Sequence, residues 1–199
     1  MTQWTCDRVV LARHGETEWN LLRRRQGQLD SPLTERGVTQ ARAVAAAVVP
    51  LSIDAVFASP LGRAATTARA CADLLDLPVI TIDELAEINH GEMAGRTNEE
   101  IEQVFPGELA RRSTDKYQWR FPGGESYADA DRRAGSALSR IMAAAVRRPL
   151  IVSHEMIGRM LLRQLTGSTS TEALSWSHPH NVIYEVDPDT SEMAQLQVS

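Results

Sequence analysis

Short apolar runs alternate along this chain with segments of helical periodicity, and this alternation limits the possible folds more than any other feature. The apolar runs have the length and composition of buried strands and lie at residues 8–13, 55–58, 78–82 and 149–152. Helical spacing predicts helices over residues 34–49, 61–75, 125–147 and 156–166. Strands that alternate with helices form a mostly parallel sheet covered on both faces. We therefore predict an α/β fold, a three-layer sandwich with one antiparallel edge formed by residues 182–186 and 193–196.

The segments between these elements are predicted to be loops with one helical excursion. Thr34 has the position of an N-cap, so the polar segment 14–33 before it is expected to be a loop. Residues 84–97 form a second loop interrupted by glycines, and residues 98–113 predict a short helical segment broken at 106–107. A further loop over 117–124 then leads into the long helix.

Composition places the chain among ordinary globular proteins and excludes several partners. The length of 199 residues suits one domain, and the net charge of −5 implies no general attraction to nucleic acid or acidic membranes. No apolar run approaches the ~20 residues that span a bilayer. The first seven residues lack the features of a signal peptide, and Cys6 and Cys71 suggest neither a disulfide framework nor a metal site. We expect a cytoplasmic protein with inert thiols.

Three of the predicted strands end at residues suited to phosphate chemistry. The first ends at Arg13 and His14, the second at Ser59 with Arg63 close behind, and the fourth at His154. In a parallel sheet these ends lie at one edge, where α/β proteins bind their ligands. An arginine fork suits phosphate oxygens, and a histidine nitrogen can attack phosphorus. The pattern predicts a phosphate pocket, although an isolated Arg-His-Gly also arises by chance.

Several motifs, taken together, resemble the histidine phosphatase superfamily in its phosphoglycerate mutase-like branch. They appear in family order at residues 13–17, 31–37, 59–63, 85–95, 124–126 and 152–154. The resemblance implies a single domain over 1–199 of the phosphoglycerate mutase-like fold. It also implies that the excursion at about 84–127 forms part of the substrate pocket.

The resemblance implies a role for each matching residue. His14 would be the nucleophile that takes the phosphoryl group, and Glu87 would donate a proton to the leaving oxygen. The pocket around the phosphate would be formed by Arg13, Arg63, His154 and Asn20. No metal and no organic cofactor are expected, because arginines supply the positive charge. Without the family match, Glu87 would be interpreted as a solvated surface carboxylate.

The middle segment, residues 115–127, is similar to the fructose-2,6-bisphosphatase domain of this superfamily. There a second phosphate is bound by basic and tyrosine side chains, whose counterparts here are Arg112, Lys116, Tyr127 and Arg159. Two positions depart from that pattern: Asn98 replaces a tyrosine, and Glu155 replaces a glutamine. Glu155 is also expected to be a substrate-binding residue. Its carboxylate would repel a second anionic group, or would need Arg159 as its partner. A monophosphate or another sugar phosphate therefore fits equally well.

For several other polar residues, both a functional and a purely structural interpretation remain possible. Arg112 and Lys116 could equally form a solvated basic face. For residues 23–25, three consecutive arginines, exposed charge is favoured over a lid that covers the anion. His178 and His180 are expected to pack or to lie at the surface, and His90 follows the Glu87 loop without an assigned role.

These observations favour a phosphatase that hydrolyses a small phosphorylated metabolite through a phosphohistidine at His14. One alternative is a phosphoglycerate mutase, although such mutases usually carry longer insertions. A related alternative is a phosphatase of alpha-ribazole phosphate, and another is a phosphate-binding module that has lost catalysis. The expected partner is a small phosphorylated substrate, with no nucleic acid and no membrane, and the sequence leaves a homodimer open.

Overall fold

A six-stranded sheet forms the centre of the computed structural model, which describes residues 5–198. The expectation that the chain carries no signal peptide is based partly on residues 1–4, which lie outside this range. The strands are β1 (Val9–Arg13), β2 (Ala55–Ala58), β3 (Val79–Thr81), β4 (Pro149–Ser153), β5 (Val182–Val186) and β6 (Met193–Gln197). Their order in the sheet is β3-β2-β4-β1-β5-β6.

The pairing of the strands confirms the predicted mixed sheet. β1, β2, β3 and β4 are mutually parallel, with Leu11 opposite Ile151 and Phe57 opposite Ile151 and Ile80. β5 runs antiparallel to β1, and β6 continues this antiparallel edge beyond β5. Because β4 and β1 are neighbours, the two histidine-bearing strand ends lie side by side.

Helices cover both faces of the sheet, as predicted. They are α1 (Glu18–Leu21), α2 (Glu35–Val48), α3 (Gly62–Leu75), α4 (Asn98–Val104), α5 (Glu108–Thr114), α6 (Tyr127–Ala143), α7 (Glu155–Thr166) and α8 (Ser170–Ser175). Thr34 caps α2 by accepting a hydrogen bond from the backbone of Gly37. Two buried clusters separate the layers: Val10 and Ala12 pack toward α2 and α3, whereas Val9 and Leu11 pack toward α6 and α7.

The main differences from the sequence prediction are the two ends of one helix and the presence of two short helices. The helix expected over 125–147 begins only at Tyr127, because Ser126 and Asp129 form a capping box. It ends at Ala143, and Ala145 then adopts a left-handed backbone with φ of 53°. The segment 14–33 contains the four-residue α1, and α8 was not predicted. Helices of four to six residues are too short to show periodicity in a sequence.

Two further observations concern the class of protein. Cys6 and Cys71 are both free and buried, and burial raises the pKa of Cys6 to about 11 and that of Cys71 to about 12. Both therefore remain thiols near neutral pH, as expected for inert cysteines. Within residues 5–198, the helices are all too short or too polar to cross a bilayer.

Candidate active site

The ends of β1, β2 and β4 bring two histidines together at one edge of the sheet. The N–H of His14 donates to the carbonyl of Ser153 at 3.1 Å, and the rings of His14 and His154 lie 5.1 Å apart between centroids. Gly15 follows His14, and a Cβ atom there would overlap the carbonyl oxygen of Gly37. Only glycine therefore lets the chain pass α2 this closely while it presents His14.

The contacts of His14 define its tautomer. Nδ1 lies 2.7 Å from the carbonyl oxygen of Gly15, which can only accept, so Nδ1 carries the proton. Nε2 accepts from Nε of Arg63 at 3.3 Å and keeps its lone pair. Burial lowers the pKa of His14 well below its usual value, and the proximity of His154, Arg13 and Arg63 lowers it further. The imidazole is therefore neutral, which is the form that can act as a nucleophile.

Two arginines flank this imidazole. Arg63 is 2% exposed, and its guanidinium donates to the carbonyls of Gly27 and Leu29, both at 2.8 Å, and to Asp30 at 3.0 Å. Arg13 donates through Nη1 to Glu155 at 2.8 Å and to the carbonyl of His178 at 3.0 Å. These contacts orient both guanidinium groups before any ligand binds.

His154 and His180 support His14 from two sides. His154 is fully buried, and its Nε2 lies 2.7 Å from the hydroxyl of Ser59 at the end of β2. Burial, followed by the charges of Arg63 and Arg13, lowers the pKa of His154 well below its usual value. Nδ1 of His180 donates to the carbonyl of His14 at 2.6 Å. We call the group of His14, Arg13, Arg63 and His154 the histidine end of the site.

Glu87 is bound by the N-terminus of α7. Its Oε1 accepts from the backbone N–H groups of Ile88 and Ile157, both at 2.9 Å, and its Oε2 accepts from Met156 at 3.0 Å. The first amides of a helix have no partner within the helix, so a carboxylate here satisfies them. Glu87 is only 7% exposed and is not the solvated surface carboxylate of the alternative interpretation.

A single guanidinium fixes the loop that carries Glu87. Arg133 of α6 donates to the carbonyls of Glu84 at 2.8 Å, Ala86 at 2.6 Å and Glu87 at 3.2 Å. It also forms a two-pronged pair with Glu125, with distances of 3.0 and 2.8 Å. The backbone on both sides of Ala86 is therefore tied to α6, which sequence motifs alone did not indicate.

A cavity of about 140 Å³ opens between these groups. Six of the predicted site residues line it, namely Arg13, His14, Asn20, Arg63, Glu87 and Glu155. A larger depression of about 560 Å³ touches Arg63 from its other side, but no other predicted site residue reaches it. The smaller cavity is therefore the candidate active site. Within residues 5–198, no three His, Cys, Asp or Glu side chains are grouped as a metal site requires.

Five predicted residues do not line the cavity. His154 belongs to the histidine end, and the other four form a second group, which we call the basic end: Arg112, Lys116, Tyr127 and Arg159. Arg159 donates to the hydroxyl of Tyr127 at 2.9 Å, and Nζ of Lys116 lies 5.8 Å from the centre of the Tyr127 ring. The Arg112 guanidinium lies 5.8 Å from the centre of the Phe121 ring. Arg112 and Lys116 are only half-buried, and each lies over an aromatic ring.

Sequence reasoning missed several residues that line the cavity, among them Arg24, Arg25, Gln26, His90 and Met156. Exposed charge is the wrong interpretation for two of the three consecutive arginines. Arg24 pairs with Glu100 at 2.7 Å and Arg25 donates to Asn98 at 2.9 Å, so only Arg23 is exposed. Their partners lie more than 70 positions away, which no local pattern reveals. His90 is 5% exposed and stacks on Phe121 with 4.3 Å between ring centroids.

Known proteins resemble this chain over most of its length. The family model of the histidine phosphatase superfamily (branch 1) matches residues 9–198. A Yersinia pestis (strain Pestoides F) protein named "Probable phosphoglycerate mutase GpmB" is 41% identical over 160 residues, which are 80% of this chain and 74% of that protein. The names of such relatives divide between a mutase and phosphatases.

Two solved structures belong to the phosphatase group. The alpha-ribazole phosphatase from Shigella flexneri superposes with a TM-score of 0.85 and 27% identity, over 96% of this chain and 95% of that one. The mycobacterial glucosyl-3-phosphoglycerate phosphatase, solved with VO3, has a TM-score of 0.82 and 27% identity, over 91% and 92% of the two chains. These two relatives differ in the substrates they are named for, so the shared fold does not specify a substrate.

Proposed function

The chain belongs to the histidine phosphatase superfamily, branch 1, and on that premise we propose that it hydrolyses a small phosphorylated metabolite, a sugar phosphate or a similar monoester. The reaction passes through a phosphohistidine at His14 and uses no metal or organic cofactor. The observation that carries the proposal is the state of His14. Its proton lies on Nδ1 against Gly15, and its unprotonated Nε2 accepts a hydrogen bond from Arg63 in the cavity.

The chemistry divides into two steps. His14 Nε2 attacks phosphorus, so that an N–P bond forms while the bond from phosphorus to the leaving oxygen breaks. Arg13, Arg63 and His154 bind the phosphate oxygens and stabilise their charge in the transition state. Glu87, in its protonated form, gives a proton to the leaving oxygen. It then takes a proton from the water that cleaves the N–P bond and releases inorganic phosphate.

The basic end and Asn20 bind the remainder of the substrate in this proposal. Tyr127 and Arg159 reach it from α6 and α7, whereas Arg112 and Lys116 belong to the excursion at about 84–127, which forms one wall of the substrate pocket. The similarity of residues 115–127 to fructose-2,6-bisphosphatase supports a phosphorylated sugar as one member of the substrate class. The net charge of −5 favours a small substrate over nucleic acid or an acidic membrane. The proposed location is the cytoplasm.

A phosphoglycerate mutase is the second candidate, because the Yersinia pestis relative carries that name. A mutase returns the phosphoryl group from His14 to a second hydroxyl of the same glycerate, whereas a phosphatase transfers it to water. The two functions share the first step and differ in what cleaves the phosphohistidine. The presence of His14, Glu87 and both arginines in one cavity favours either enzyme over a phosphate-binding module.

Phosphate release from a panel of esters tests the proposal. The panel contains p-nitrophenyl phosphate, sugar monophosphates, fructose 2,6-bisphosphate, both phosphoglycerates and alpha-ribazole phosphate. We expect release that falls about 10⁴-fold or more in His14→Ala, which removes the nucleophile. Radiolabelled substrate should also trap an acid-labile, base-stable phosphohistidine on the wild type but not on His14→Ala.

A pair of arginines on α3 provides the matched control. Arg63→Met should lose most activity, whereas Arg69→Met, an exposed position on the same helix, should retain it. Interconversion of 2- and 3-phosphoglycerate without phosphate release would favour the mutase. Binding of phosphate without turnover or phosphohistidine would contradict both enzymes.

A further inference from the structure

Glu155 joins the two ends of the site through its carboxylate. It is the first residue of α7, directly after His154, and it lines the cavity. Oε2 accepts from Nη1 of Arg13 at 2.8 Å, and Oε1 accepts from Nη2 of Arg159 at 2.5 Å. One negative charge therefore lies between an arginine of the histidine end and an arginine of the basic end.

This carboxylate binds Arg13 and Arg159, two of the cations that a second anionic group would otherwise use. Arg13 and Arg159 each already bond one oxygen of Glu155, and Arg63 is paired with Asp30 at 3.0 Å. Burial, followed by the charges of Arg159 and Arg112, lowers the pKa of Lys116, and the charge of Glu155 only partly opposes this shift. A phosphate bound at Arg13 and Arg63 thus has a carboxylate as its neighbour on the side of the basic end.

The hydrogen-bonding properties of the Glu155 carboxylate determine which substrate groups can lie next to it. An ionised carboxylate can accept hydrogen bonds but has no proton to donate, and each oxygen has room for a second donor. A hydroxyl group of the leaving group can donate to it. A carboxylate or phosphate at the same place repels it and leaves both anions without a donor.

We propose that Glu155 is a specificity-determining residue that restricts the group next to the ester to an uncharged, hydroxyl-bearing one. The substrate class is then a phosphate monoester of a polyol or sugar, and phosphorylated acids or closely spaced bisphosphates are disfavoured. This inference rests on the proposed phosphatase function. It sharpens that function, because the phosphatase proposal alone does not distinguish these substrates.

A matched pair of three-carbon esters tests the inference. sn-Glycerol 1-phosphate and 3-phospho-D-glycerate share their skeleton and their configuration at carbon 2, and they differ by a hydroxymethyl group in place of a carboxylate. We expect the wild type to prefer the glycerol ester in kcat/KM. Glu155→Gln keeps the shape but removes the charge, and it should shift the ratio of the two kcat/KM values toward the acid by about 10-fold or more. Glu155→Asp keeps the charge and should keep the wild-type preference.

Glu185→Gln is the control substitution. The Glu185 side chain is 31% exposed, as is that of Glu155, and it is likewise paired with an arginine, Arg8, but it lies on β5 outside the cavity. In Glu185→Gln, the ratio of the kcat/KM values for the two three-carbon esters should remain that of the wild type. p-Nitrophenyl phosphate, which has no hydroxyl beside the ester, measures the loss in Glu155→Gln that is common to all substrates, so the kcat/KM values of the two three-carbon esters are compared with it.

Two results would overturn the inference while the phosphatase function stands. In the first, Glu155→Gln leaves the ratio unchanged. In the second, Glu155→Gln lowers kcat/KM equally for all three substrates, which would mean that Glu155 only orients Arg13. Failure of the phosphatase proposal has a different signature, since the wild type would then release no phosphate from p-nitrophenyl phosphate in a His14-dependent way.

Discussion

The histidine end and the basic end of the site are held in place by different kinds of contact. At the histidine end, His14, Arg63 and His154 are at most 3% exposed, and backbone carbonyls or buried side chains orient each of them. At the basic end, Tyr127 is also buried, at 2% exposed, but Arg112 and Lys116 are half-buried long side chains on and just after the seven-residue α5, and they lie against aromatic rings.

The difference follows from what each end has to bind. A phosphate group has the same shape in every ester, so fixed donors at strand ends can be arranged for it in advance. The leaving group varies between substrates, and loops or short helices beside a rigid sheet can change without disturbing that arrangement. The two named phosphatases that share this fold fit this division, because they differ in the substrates for which they are named.

The largest expected contrast between the two ends is in acid stability. All five histidines of the chain lie in or beside the histidine end, and none belongs to the basic end. Burial lowers the pKa of His90 and His178 to about 3 and that of His180 to about 4, and it lowers those of His14 and His154 as well. The unfolded chain, with histidine pKa values near 6.5, binds more protons below that pH, so stability is lost as pH falls.

Urea unfolding at pH 7 and pH 5 measures this loss. Each histidine that stays neutral in the folded state at pH 5 should cost about 2 kcal/mol, and several together should lower the urea midpoint strongly. The decline should start near pH 6.5 and continue toward pH 3 to 4. Equal midpoints at pH 7 and pH 5 would mean that these histidines take up protons in the folded protein as readily as in the unfolded chain, which would contradict the lowered pKa values that burial gives them.

A smaller effect is expected when the attachment of Glu87 is loosened. Arg133→Met removes the donor that joins the carbonyls of Glu84, Ala86 and Glu87 to Glu125. Arg133 does not line the cavity, so it acts as a positioning residue for the proton donor. Alkyl phosphates, whose leaving oxygen needs a proton, should lose about 10²-fold in kcat/KM. p-Nitrophenyl phosphate, with a good leaving group, should lose less than about 10-fold.

Arg140 on the same helix supplies the control for this experiment. It pairs with the side chain of Glu84 at 2.6 Å and contacts no carbonyl of the Glu87 loop. Arg140→Met should therefore leave kcat/KM nearly unchanged for both alkyl and aryl phosphates. An equal loss of alkyl and aryl substrates in Arg133→Met would show that Arg133 supports the fold as a whole rather than the acid step.

The two ends also differ in how far the sequence could predict them. The sheet and the convergence of Arg13, His14 and His154 follow from apolar runs that stop at polar residues. Such runs depend only on neighbouring residues, so they can be recognised in the sequence. Glu87 lies in a loop whose position depends on Arg133, 46 residues further along the chain, so only the family resemblance pointed to it. Arg25 and His90 escaped prediction because their burial arises from contacts between distant segments.

The smallest expected effect separates binding from chemistry at the basic end. Arg112→Met and Lys116→Met keep much of the aliphatic side chain but remove a charge that lies away from the transferred phosphoryl group. Each should raise KM for a sugar phosphate by about 10-fold and leave kcat within about twofold, since a contact made equally in the ground and transition states does not change kcat. Arg111→Met, a neighbour on α5 that pairs only with Glu108 among the described residues, should change neither. A fall in kcat as large as the fall in kcat/KM would place the basic end in the transition state, and the division between a rigid catalytic end and an adaptable binding end would then be wrong.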